Sequence, residues 1–204
     1  VYVDEFDFSG VTAAAEIAVV IPTPPVTAFL DVDETFIEGK PVFTITFNGF
    51  YSATAPDYDG EMFIDLTAEN RQVGVFTDNL AGEMGFEGRT DVSQLAEPTQ
   101  RGNAVLLNVT WQGDTPLVQA QMLYIATAVA ATVNGTKYQF GSIASTETAV
   151  GVLRLLAAPG GAGSNDLVVT IQSDADSIAG GETTRITFAT LNQASVATFE
   201  KVEL

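Results

Sequence analysis

An all-β fold with one short helix is what this sequence predicts. Short runs of β-branched and aromatic residues recur along its 204 residues, turns rich in Gly, Pro, Asn and Asp separate them, and a single segment carries helical spacing. The clearest run, Val42-Phe-Thr-Ile-Thr-Phe47, alternates side chains strictly and continues through Asn48-Gly49 to Phe50-Tyr51. Further strands are expected over 16–21, 72–76, 104–111 and 117–125, then over 150–157, 167–172, 185–191 and 197–204. In 104–111 the side chains of Leu107, Val109 and Trp111 share one face, which assigns the tryptophan to packing rather than to a stacking platform. The helix is expected over 59–69, where Met62, Phe63 and Leu66 fall at i, i+1 and i+4 and acids fill the first turn.

Residues 22–41 break the alternation. Prolines stand at 22, 24 and 25, and no period-two order is present, which predicts a long functional loop or an extended hairpin arm. Its apolar residues Phe29, Leu30, Phe36 and Ile37 have little to bury against within the arm, which points to docking on a neighbouring molecule. Beyond residue 134 the turns Pro159-Gly-Gly-Ala-Gly-Ser164 and Ala179-Gly-Gly181 alternate with strands in the rhythm of an antiparallel sandwich. Two domains are expected, 1–134 and 135–204, joined near Thr132-Val-Asn-Gly-Thr136; one sandwich with uneven charge is the alternative.

The charge balance excludes several function classes. The chain carries 26 acids and 8 bases, a formal net charge of -18, with no cysteine and no histidine. At 46% hydrophobic and 17% charged it is a folding sequence, not a disordered one. Eight scattered bases make no phosphate-binding groove, and they do not favour anionic membranes. Thiolate and imidazole chemistry are absent, and with them most hydrolase and zinc-enzyme arrangements. No leader-like opening and no membrane-length apolar run is evident, so a soluble protein is expected. The charge is also uneven: nineteen acids face four bases up to residue 130, and seven face four thereafter.

Phe29-Leu30-Asp31-Val32-Asp33-Glu34-Thr35 matches the hydrophobic–Asp–x–Asp–x–Thr opening of haloacid-dehalogenase-type phosphatases. That chemistry needs a doubly wound α/β sheet, a downstream Lys and a late acidic pair, and the pattern around the motif supplies none of them. Asp57-Tyr-Asp59 and Asp174-Ala-Asp176 are carboxylate pairs able to take a hard cation, but both lack an EF-hand's spacing and read as turn carboxylates. No catalytic constellation, cofactor site or metal site is expected, and the chain reads as a non-enzyme.

The order of these pieces resembles the major tail-tube proteins of long-tailed phages and related archaeal viruses. Asp4-Glu-Phe-Asp-Phe-Ser-Gly10 is similar to that family's opening Asp-x-x-Asp-[Leu/Phe]-Ser-Gly stretch. A strand, a long arm and the strand Pro41-Val-Phe-Thr-Ile-Thr-Phe-Asn-Gly-Phe50 follow, with Pro41 and Val42 standing where Gly-Leu is usual, and Asp57-Tyr-Asp-Gly-Glu61 then opens the helix. The resemblance spans residues 1 to about 130 in layout, the remainder resembling a β-sandwich appended on a tube's outer face.

The resemblance implies a tail-tube-type sandwich or barrel that joins neighbours into rings, usually hexamers, stacked into a hollow tube that DNA traverses without specific binding. It implies a virion protein made in the host cytoplasm. Its partners would be its own copies and other tail proteins such as tape measure and terminator, with no membrane. Phe29, Leu30, Asp31, Asp33, Glu34, Phe36, Ile37 and Lys40 would form the inter-ring arm. The acidity of the first part would line the lumen, with adaptation to high salt as the competing explanation. The alternative function is a capsid decoration or carbohydrate-binding module, with Trp111, Tyr138 and Phe140 as stacking groups.

Overall fold

The computed structural model describes residues 1–26, 36–50, 70–96, 106–125, 135, 148–156, 166–173, 182–192, 195 and 198–203, and the statements below concern these. Twelve strands are assigned among them and no helix: β1 (Tyr2–Val3), β2 (Phe6–Asp7), β3 (Thr12–Val20), β4 (Val42–Phe50), β5 (Arg71–Phe76), β6 (Met84–Ala96), β7 (Leu106–Gly113), β8 (Val118–Gln121), β9 (Val150–Leu155), β10 (Thr170–Ser173), β11 (Thr183–Thr187) and β12 (Thr198–Glu203). The protein is all-β and its pairings are antiparallel. The helix expected over 59–69 lies outside the described residues. The chain divides into two compact units, Val1–Val3 with Phe8–Thr136, and Asp4–Asp7 with Lys137–Leu204.

In the first unit the strands run β1-β5-β6-β7-β4-β3, with β8 also paired to β6. Strict alternation in β4 and β7 puts Phe43, Ile45 and Phe47 on one face with Leu107, Val109 and Trp111, all 2% exposed or less. Register brings them together, Ile45 opposite Trp111 and Phe47 opposite Val109. The Phe47 and Trp111 rings lie 4.0 Å apart between centroids at 31°, and Phe8 stacks on Phe47 from 6.4 Å. Phe8 reaches that position through a tight turn at Ser9-Gly10. Its carbonyl accepts from the Val11 and Thr12 amides at 3.1 and 3.0 Å and from the Thr12 hydroxyl at 2.8 Å. The Phe-Ser-Gly of the opening motif therefore has a local purpose, to turn the chain and deliver one aromatic to the core.

The longest strand, β6, is not among those the sequence pattern predicts, nor are the two-residue strands β1 and β2. Its polar residues and its glycines Gly85 and Gly88 suppress the alternating signal, while its place between partners supplies the stability that propensity lacks. Its first half pairs with β5 on one side and β8 on the other, and its second half pairs with β7. β7 and β8 thus follow one side of β6 in succession, with residues 114–117 looping out between them. The excursion is pinned by Arg89, whose Nε and a terminal guanidinium nitrogen lie 2.8 and 2.7 Å from Asp114 Oδ2. The strand expected over 117–125 stops at Gln121 because its partner begins at Met84. Met122 instead bonds the turn before β6, donating to the Glu83 carbonyl and accepting from Gly82 at 2.9 and 2.7 Å.

Gly88 of β6 and Gly113 of β7 form a cradle for Phe43. A Cβ at either glycine would lie 2.3 or 2.0 Å from that buried ring, so the ring would have to move. Gly113→Ala should therefore cost about 1–3 kcal/mol through overpacking, measured as a lower urea midpoint at constant m-value.

In the second unit β10 pairs with β11 and β9 with β12. The two hairpin-like sheets pack closely because Gly151 of β9 has no side chain: a Cβ there would sit 2.8 Å from Ile171 and Ile186 and 3.1 Å from Phe188. Ile186, Phe188 and Leu191 are buried. The strands expected over 167–172 and 185–191 are shorter than the pattern suggests. Beyond the main ladder, which itself carries a bulge at Ile171/Gln172, their outer ends meet as an isolated Leu167–Leu191 bridge and a Phe188 amide to Val169 carbonyl bond at 3.0 Å. Arg154 Nε donates to the Asp4 carbonyl at 2.8 Å within this unit, and Asp4 takes the left-handed conformation (φ 47°) that Asp tolerates.

Candidate assembly surfaces

Opposite the core, strands β3, β4, β7 and β6 of the first unit present a second face, which register resolves into three four-residue rows. These are Ala18–Thr44–Gln112–Asp91, Glu16–Thr46–Thr110–Gln94 and Ala14–Asn48–Asn108–Ala96. Side chains that pair across strands point to one side, so each row is a line of neighbours. The Thr46 and Thr110 hydroxyls meet at 3.2 Å, and the Ser93 hydroxyl, at the β6 bulge, donates to the Thr110 carbonyl at 3.0 Å. The rows hold hydroxyls, amides and alanines, two carboxylates and no base. In a chain of 26 acids this face is only weakly acidic. Glu38 on the arm and Asp78 on the β5–β6 turn are exposed instead, and Glu83 on that turn is half-buried.

Strand β3 ends the sheet order, so its outer backbone edge is unpaired among the described residues. It is nine residues long with Glu16 as its one charge, and Ala13, Ala14, Ala15, Val19 and Val20 are exposed. A long, weakly charged open edge is a template for another strand.

The arm continues the β3–β4 hairpin. Beyond the Val20–Val42 pair, Gly39 donates to the Pro22 carbonyl at 2.7 Å, Ile37 donates to Pro24 at 3.2 Å, and Pro25 bridges Phe36. Prolines at 22, 24 and 25 supply carbonyls but no amide donors, so the pairing is sparse and falls short of a regular ladder. Of the arm residues singled out from sequence, Phe36 and Ile37 are each 57% exposed and Lys40 is exposed; Phe29, Leu30, Asp31, Asp33 and Glu34 lie outside the described residues. The exposed set also includes Val19, Val20, Ile21 and Val26, which the run Val19-Val20-Ile21 signals once it is known to end an edge strand.

Trp111 is wholly buried and stacks no external ring; Tyr138 and Phe140 lie outside the described residues. So do the Asp57/Asp59 and Asp174/Asp176 pairs, and the described residues hold no cluster of three or more candidate cation ligands. Among the described residues no helix is long and apolar enough to cross a membrane.

No protein-family profile and no curated protein matches the chain. Among solved structures, a chain from the virion of a native gene transfer agent particle is similar at 11% identity and a TM-score of 0.44, over 58% of this chain and 93% of that one. A chain from the tail of an empty particle of the same kind, refined with C6 symmetry, is similar at 13% identity and a TM-score of 0.43 over the same shares.

Proposed function

We propose that this chain is a structural virion protein that polymerises as stacked rings, of the six-fold kind its sequence resemblance implies, into a hollow tail tube for the passage of DNA. The observation that carries the reading is the face of three rows. Its rows hold no cationic group, and the cation beside them, Arg89, two positions from Asp91 on the same side of β6, is paired with Asp114, so a duplex sliding over the rows finds little to bind, while Glu16 and Asp91 repel it weakly. The open edge of β3 suits lateral joining of copies, which removes the edge, and lateral contacts of unlike surfaces close into rings when the rotation permits. The exposed apolar arm suits the joint between rings. In this reading residues 1–134 form the tube and 135–204 its outer decoration, and the tube, not an enzyme site, is the product of the fold. A carbohydrate-binding module is not favoured, because its central stacking group, Trp111, is buried.

Electron microscopy of the purified protein over rising concentration tests the reading. Hollow tubes of constant diameter with an axial ring repeat are the expected result; a monodisperse monomer at millimolar concentration would overturn it.

A further inference from the structure

We propose that assembly of this chain is gated by salt: copies hold one another apart at low ionic strength and join once dissolved ions screen them. This rests on the ring-and-tube reading and adds to it the condition under which rings and tubes form.

The sign of the effect follows from where the bases are. Six of the eight bases fall among the described residues, and four of those six are engaged within their own chain. Arg89 pairs with Asp114 at 2.7 Å and Lys201 with Glu203 at 2.9 Å. Arg154 donates to the Asp4 carbonyl at 2.8 Å, and Arg185 to the Ser173 hydroxyl at 2.7 Å. Arg71 is half-buried at the start of β5, and Lys40 is exposed on the arm two positions from the exposed Glu38. The surfaces suited to joining add no attraction between unlike charges. The three rows carry Glu16 and Asp91 and no base, and Glu16 is the one charge on the open β3 edge. Ions in solution therefore have repulsion to weaken and no ion pair between copies to break at these surfaces. A joint held by ion pairs would respond the other way and loosen as salt rises.

Number and distance set the size of the effect. Up to residue 130 each copy carries nineteen acids and four bases, so two neighbours set about 200 net like-charged pairs against each other. Each pair is weak across about 20 Å of water, but all have the same sign. The Debye length is about 30 Å at about 10 mM salt and about 10 Å at about 100 mM. The lower concentration leaves most of this repulsion in force between adjoining copies, and the higher one removes most of it. A large net charge of one sign keeps a protein soluble and single until it is screened.

Pelleting of the full chain at rising protein concentration gives the critical concentration for tube growth. It should fall at least about tenfold between about 10 and about 100 mM sodium chloride. Sodium sulfate at equal ionic strength should match the chloride, because screening depends on ionic strength. The variant Glu16→Gln with Glu38→Gln and Asp78→Asn neutralises three exposed acids and takes away about a third of the like-charged pairs. The new amide at 78 keeps an acceptor for the Asn79 amide, which Asp78 now holds at 2.7 Å, so the circular dichroism spectrum should not change. This variant should assemble at about 10 mM salt from a lower concentration than wild type and respond less to added salt. A critical concentration that rises or stays level with salt would overturn the gate alone. So would a folded variant as salt-dependent as wild type, or a sulfate effect well beyond that of chloride, the mark of strengthened apolar burial. A wild-type chain that forms neither rings nor tubes between about 10 mM and about 1 M salt would overturn the gate and the reading beneath it together.

Discussion

Trp111→Ala should lower the stability of the first unit by about 3–5 kcal/mol, the range for removing a large aromatic from a closed core. The side chain is fully buried, stacked on Phe47 at 4.0 Å and paired in register with Ile45, whose side chain is also fully buried. Its indole N–H has no acceptor among the described residues, so the loss is one of packing and cavity rather than of a hydrogen bond. Trp111→Phe keeps a ring against Phe47 and should cost distinctly less. Urea unfolding followed by circular dichroism measures both. An alanine variant within about 1 kcal/mol of wild type would mean that the β4–β7 core does not hold the unit together. Because the same strands carry the polar rows on their other side, the unfolded fraction should track the loss of assembly.

The second large effect is electrostatic. Glu16→Lys combined with Asn48→Lys places two cations per copy on adjacent rows that hold none, at exposed positions where neither side chain packs in the core. Such tubes should still form and should acquire DNA binding that wild-type tubes lack. Two phosphate contacts per copy predict that this binding falls at least about tenfold between about 50 and about 200 mM salt. Filter retention of duplex DNA by preformed tubes gives the measurement. If variant and wild-type tubes behave alike, DNA does not meet this face and the lumen is lined by something else. The same experiment separates the two explanations of the acidity. A protein adapted to salt has no reason to keep these particular rows free of bases, whereas a passage for polyanions does.

The fold class and most strands of the first unit were legible because alternation in Val42–Phe50 and Leu106–Gly113 reports a one-sided core directly. Strand β6 was not, since Gly85, Gly88, Glu87 and Ser93 give it no apolar period; what makes it a strand is three pairing partners, which no local window contains. Phe36 and Ile37 were found as arm residues by their isolation among prolines. The outward-facing Phe50–Leu106 pair escaped for the opposite reason. Phe50 and Leu106 sit at the ends of well-formed strands and look like further core positions until register puts them on the other side. The weak acidity of the polar rows was equally hidden, because counting charge along half a chain averages over faces that only strand pairing separates.

The way the arm joins the sheet bears on how an assembled tube would carry load. The arm is an extension of β3 and β4, two nine-residue strands bonded along nearly their whole length. Tension applied through the arm runs parallel to these strands, so the ladder is loaded in shear and its hydrogen bonds share the force instead of opening one at a time. A pull through the arm would then pass along the β3–β4 backbone to the Phe50 end of the hairpin. The weak element under tension is the contact between subunits, and a tube of this kind should part cleanly between rings before any of its domains unravels.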